Sequence, residues 1–219
     1  MKDPGKRYLY FMVAVAVSLF FTALGRTWAN TVAALLFLFS LIVAVFFISE
    51  SKRQRVLILA MSVLAVFPIW NLLVPNQKLL ETINNGLWVA LTCYVGLMIF
   101  RNINRVKRIG SGQVYAVISV YLLIGVAFGL IYQTILIFDP GALYFNPSNF
   151  RSADLNEGNV FYYSFITLST VGYGDVSPAA PIVRSLSVIE AIVGIMYVAT
   201  MIARFVAAHT SRAENKADD

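Results

Sequence analysis

The chain has 219 residues, of which 59% are hydrophobic and only 13% charged, with a mean hydropathy of +0.74. That balance excludes an ordinary water-soluble domain and points to a membrane protein. The single cysteine, Cys93, lies in an apolar run, which excludes an intrachain disulfide, a cysteine-based zinc site and a redox pair. A net charge of +6 would suggest nucleic acid in a soluble protein, but here membrane topology accounts for it and no nucleic-acid partner is implied.

A helix needs about 20 apolar residues to cross the hydrocarbon core, because every backbone polar group must be satisfied internally. Six stretches meet this requirement: residues 8–24, 31–48, 56–74, 83–100, 114–138 and 181–207. A signal peptide is the competing reading of the first, since basic residues precede an apolar run. With six spans both termini share one side of the membrane. That side collects Lys2, Lys6, Arg7, Lys52, Arg53, Arg55, Arg101, Arg105, Lys107, Arg108, Arg204, Arg212 and Lys216, thirteen of the 17 basic residues. The positive-inside rule then makes it the cytoplasmic side of a multi-pass protein of the cell membrane.

The front half divides from the rest near residue 107, giving a four-helix transmembrane domain (1–107), a pore-like unit (108–210) and a polar cytoplasmic tail (211–219). A voltage sensor needs several basic residues inside its fourth helix, each moving through the field at about 2.3 kcal/mol per 100 mV. Residues 83–100 contain none; Arg101, Arg105 and Arg108 follow them at helical spacing. These three fit a linker anchored at anionic lipid headgroups.

Between the fifth and sixth spans, residues 139–159 hold Pro140, Gly141, Pro147 and several Asn and Asp residues, an extracellular turret. Residues 160–169 are apolar and aromatic but too few to span, which suits a re-entrant helix. There follows Thr170-Val171-Gly172-Tyr173-Gly174-Asp175. Non-helical backbone at membrane depth is tolerated only inside protein or beside a water-filled path. Glycines at alternate positions allow successive carbonyls to turn toward one axis.

The run Leu168–Asp175 resembles the filter signature of potassium channels, and Phe161–Thr167 resembles the aromatic pore helix that precedes it. The resemblance covers residues 114–207, with a weaker likeness of the first four spans to six-span channels. It implies an all-α membrane protein with six transmembrane helices, a re-entrant pore helix and a selectivity-filter loop, assembled as a homotetramer. Carbonyls of Thr170, Val171, Gly172 and Tyr173, with the Thr170 hydroxyl, would replace the water shell of K+, the arrangement known from such filters, and Gly174 completes the loop. K+ is then the transported ligand, and neither a cofactor nor catalysis is expected.

Further roles follow from the same resemblance. Tyr162 and Tyr163 would pack around the filter, and Asp175 would hydrogen-bond behind it. Some members place a carboxylate on the pore helix opposite that aspartate; this chain has Ile166 there. Glu190, costly in lipid, is expected to face protein and bond Ser164 or Thr167 in support of the filter, a place that suits its neutral form, with a water-exposed site on the outer part of the helix as the alternative. Gly194 corresponds to an inner-helix glycine proposed as a hinge, with plain close packing as the alternative. Ile195, Val198 and Ile202 would line a cavity and Val206 its cytoplasmic mouth. The expectation is passive K+ conduction without a conventional voltage sensor. The alternatives are a voltage-gated potassium channel and a pore-loop subunit of a potassium uptake system.

Overall fold

The computed structural model describes residues 4–24, 32–41, 78–105, 110–146 and 157–217. The expected span at 56–74 and part of that at 31–48 lie outside the described residues. Six helices and two short strands are described: α1 (Pro4–Ala23), α2 (Val32–Leu41), α3 (Lys78–Arg105), α4 (Ser111–Phe138), β1 (Leu143–Phe145), α5 (Glu157–Leu168), β2 (Val176–Pro178) and α6 (Pro181–Ala217). Four of them, α1, α3, α4 and α6, are long and apolar enough to cross a membrane. The protein is thus a mostly helical membrane protein. At 12 residues, α5 is about 18 Å long against a hydrocarbon core of about 30 Å.

Helix α4 organises the rest, touching α1, α3, α5 and α6. Its start is capped locally: the Gly110 N–H donates to Gln113 Oε1 at 2.8 Å. It stops at Asp139-Pro140-Gly141, where the Asp139 carboxylate accepts from the Gly141 N–H and its carbonyl from the Ala142 N–H. Proline and glycine cannot extend the helix cheaply, so the chain turns there. One stripe of α4 (Ala116, Val120, Leu123, Val126, Leu130) meets the α3 stripe Trp88, Leu91, Val95, Ile99 and Ile103, with Phe11 and Val15 of α1 in the same core. Spacings of three and four keep each set on one helix face.

Where the sequence suggests a cytoplasmic linker after residue 100, α3 continues unbroken to Arg105. Arg101 lies exposed on its last turns, and Arg108 is outside the described residues. Only residues 106–110 join α3 to α4, so the two form an antiparallel hairpin. The second half of α6 is fastened to the same place. Arg204 donates to Asn104 Oδ1 and, at 2.5 Å, to the Ile103 carbonyl, so a guanidinium caps the negative end of α3. Of the expected tail at 211–219, residues up to Ala217 are the continuation of α6.

Candidate functional site

The filter-like loop takes its shape from the last turn of α5. Beyond Leu168 the Thr170 N–H still reaches Thr167 O at 2.9 Å, and then the N–H groups of Val171 and Gly172 both converge on Ile166 O, at 2.9 and 3.1 Å. In a trans peptide the N–H and the preceding C=O point in opposite directions. With both amides turned back to α5, the carbonyls of Thr170 and Val171 face away from it, on a shared side. The backbone alternates accordingly: φ is +58° at Thr170, +51° at Gly172 and +80° at Gly174. Two of these left-handed positions are glycines; Thr170, a β-branched residue, is held there against its preference. The loop is open to its surroundings, with Tyr173 72% exposed and Val171 50%.

Its outer end is pinned through Asp175. Tyr162 OH donates to Asp175 Oδ2 at 2.6 Å, the Val176 N–H donates to Oδ1 at 2.9 Å, and the Asp175 carbonyl accepts from the Asn146 N–H at 2.9 Å. Ile166 on α5 is buried, and its backbone carbonyl accepts the two loop amides. Next to this, β1 and β2 pair antiparallel, Phe145 opposite Val176 and Leu143 opposite Pro178. The segment leading out of α4 and the segment leaving the loop are therefore stapled together by backbone.

Behind the loop, α5 is seated between two helices. Phe165 and Phe161 lie against Gly125 and Gly129 of α4; a Cβ at Gly125 would fall 2.6 Å from Phe165 Cε1. Only glycine leaves room for the rings. Tyr163 packs edge-on against Tyr132 at 5.2 Å, and its hydroxyl lies 2.5 Å from Ser187 Oγ. Since Ser187 gives its own proton to the Val183 carbonyl, Tyr163 is the donor in that pair.

Glu190 of α6 is completely buried. Of the two hydroxyls expected beside it, Ser164 is the one bonded, Oγ to Oε1 at 2.5 Å, and Tyr132 OH meets Oε2 at 2.7 Å. One turn further, Gly194 touches the end of α5: a Cβ there would overlap the Leu168 carbonyl oxygen and lie 3.0 Å from its carbon. The close packing expected as the alternative to a hinge is present at this glycine, and α6 runs through it as one helix. Ile195, Val198, Ile202 and Val206 are all exposed on the chain.

Tyr132, Ser187, Gly125 and Gly129 were not singled out from the sequence. The two glycines at i and i+4 in an apolar helix are a readable small-residue motif. Tyr132 and Ser187 carried no such signal, because their importance depends on partners 58 and 24 residues away.

Comparison with known proteins bears on this half of the chain. No curated protein matches it. Residues 116–211, from α4 through α6, match the family model Ion_trans_2, described as an ion channel, and the match supports an ion channel.

Proposed function

We propose that four copies of this chain form a potassium-selective channel, each contributing the loop Thr170–Gly174 to a central filter. The observation that carries the reading is the alternation of left-handed φ at Thr170, Gly172 and Gly174 with the amides of Val171 and Gly172 turned back onto Ile166. This leaves backbone oxygens free to coordinate a dehydrated cation. One chain supplies one wall only, so a closed ring of oxygens needs further copies. The exposed apolar face of α6, with Ile195, Val198, Ile202 and Val206, supplies surface for cavity and neighbours. The C-terminal end of α5 aims its partial negative charge at the same region.

Conduction is passive, K+ is cargo, and no cofactor or catalytic group takes part. The basic ends of α3 and α6, including Arg101, Arg105 and Arg204, face the cytoplasm together with both termini, and Arg101, Arg105 and Arg108 meet anionic lipid. In α3 the basic residues sit only at its ends, Lys78, Arg101 and Arg105, which argues against a sensor moving charge through the membrane field.

Purified protein in liposomes is expected to pass K+ far better than Na+. Gly174→Ala places a side chain at φ +80°, costing about 1–2 kcal/mol in that conformation, and is expected to abolish selective flux. Equal K+ and Na+ permeation by the parent protein would refute the proposal.

A further inference from the structure

Three short oxygen–oxygen contacts meet at one fully buried point behind the loop. Tyr132 OH lies 2.7 Å from Glu190 Oε2, Ser164 Oγ lies 2.5 Å from Glu190 Oε1, and the same Ser164 Oγ lies 2.7 Å from the Gly125 carbonyl oxygen. Each contact at such a distance needs a proton between its oxygens. Tyr132 and Ser164 bring one each, and a carbonyl brings none. Two hydroxyl protons cannot serve three contacts, so the third must come from the carboxyl group itself. With Glu190 ionised, Ser164 can donate to the carboxylate or to the Gly125 carbonyl, and the other contact becomes a bare approach of lone pairs. With Glu190 protonated at Oε1 a single direction satisfies everything: Glu190 donates to Ser164, Ser164 donates to the Gly125 carbonyl, and Tyr132 donates to Oε2.

The surroundings agree. Glu190 has no exposed surface in the single chain, so its burial does not wait on assembly. Helix α4 carries no charged residue, and α5 carries only Glu157, seven residues before Ser164. On α6 the preceding charge is Arg184, exposed and bonded to the Pro178 carbonyl. Among the described residues, the titratable side chains that interact electrostatically with Glu190 are Tyr121 and Tyr132 of α4 and Tyr163 of α5. None of them supplies a positive charge, and a buried carboxylate without one is strongly disfavoured.

We propose that Glu190 is a neutral carboxylic acid whose proton is the third link of a chain joining α4, α5 and α6, and that removing this proton loosens the filter. Glu190 is thus a positioning residue, acting on the loop through α5. The site sits directly behind the Gly194–Leu168 contact, so α6 holds α5 at two points one turn apart. Raising the pH takes the proton away and leaves one of the two Ser164 contacts repulsive. The effect on conduction rests on the reading of residues 170–174 as an ion filter; the protonation itself does not.

Infrared spectroscopy of the intact protein in liposomes tests the acid directly. The parent should show a carboxylic C=O stretch at neutral pH that Glu190→Gln removes, and Tyr132→Phe should move that band to higher frequency, since Oε2 loses its donor. Flux supplies the second readout. Parent ion flux should fall with rising pH, approaching about tenfold per pH unit once Glu190 is mostly ionised, whereas Glu190→Gln, which keeps an uncharged donor in place, should not follow that fall. Should the Gln variant fail to assemble, the band and its response to Tyr132→Phe still decide. No carboxylic band assignable to Glu190, or an identical fall with rising pH in parent and Gln variant, overturns the proposal. Equal K+ and Na+ flux with the band intact would instead refute potassium selectivity and leave the neutral acid standing.

Discussion

Replacing Gly194 with alanine separates a seat for the filter from a simple bend in α6. The added methyl would lie 3.0 Å from the Leu168 carbonyl carbon and 3.1 Å from Leu168 Cδ1, with the carbonyl oxygen nearer still, where ordinary contact begins at 3.4 Å. The obstacle is backbone at the last residue of α5, so no rotamer relieves it; either helix must shift. Such overpacking costs about 1–3 kcal/mol. Alanine returns about 0.8–1 kcal/mol through its better helix propensity, leaving a net loss of up to about 2 kcal/mol per subunit. Because Leu168 is two residues from Thr170, the displacement is delivered to the loop. Thermal unfolding of the purified protein, paired with K+ and Na+ flux from the same preparation, reads both effects. Lower thermal stability and lower discrimination between the ions are expected. A glycine that serves only as a bend predicts the opposite sign: a straighter, more stable helix with selectivity intact. That result, from Gly194→Ala, would refute the close-contact account.

Other predictions address the remaining supports. Tyr162→Phe removes the donor to Asp175 Oδ2, a charge-assisted bond worth about 1.5–3 kcal/mol, and should lower the K+ to Na+ flux ratio; an unchanged ratio would show that Asp175 needs only the Val176 amide. Gly125→Ala drives a methyl against the Phe165 ring and should destabilise by about 1–3 kcal/mol, with Phe165→Leu restoring part of the loss in a thermal double-mutant cycle. Arg204→Ala and Asn104→Ala should each destabilise the chain, and their cycle should show coupling of about 0.5–3 kcal/mol, since one bond joins them. Strict additivity would mean that the Arg204–Asn104 bond contributes nothing to the α3–α6 fastening.

Run length and polarity alone mark α1, α3, α4 and α6, because a membrane demands long unbroken apolar stretches and the loops between them are polar or rich in proline and glycine. The same reasoning picks out α5 as too short to cross. It misplaces the ends of helices, since hydropathy reports contact with an apolar medium whereas backbone hydrogen bonding continues into water. Helix α6 therefore runs through residues such as Ala213, Glu214 and Lys216, good helix formers in what reads as a tail. For the same reason α3 absorbs Arg101 and Arg105.

At the site, the filter motif is legible because it is contiguous: residues 170–175 carry their own backbone requirements, glycines at alternate positions above all. The supports are not. That Asp175 takes Tyr162 as partner, that Glu190 selects Ser164 and Tyr132, and that Gly194 fits against Leu168 all depend on how three helices cross. A sequence can mark Glu190 as costly in an apolar span, because that penalty belongs to the residue itself. What balances it is supplied by residues 26 and 58 positions away, brought within hydrogen-bond reach only by packing, and only that packing shows a proton count one short of its contacts.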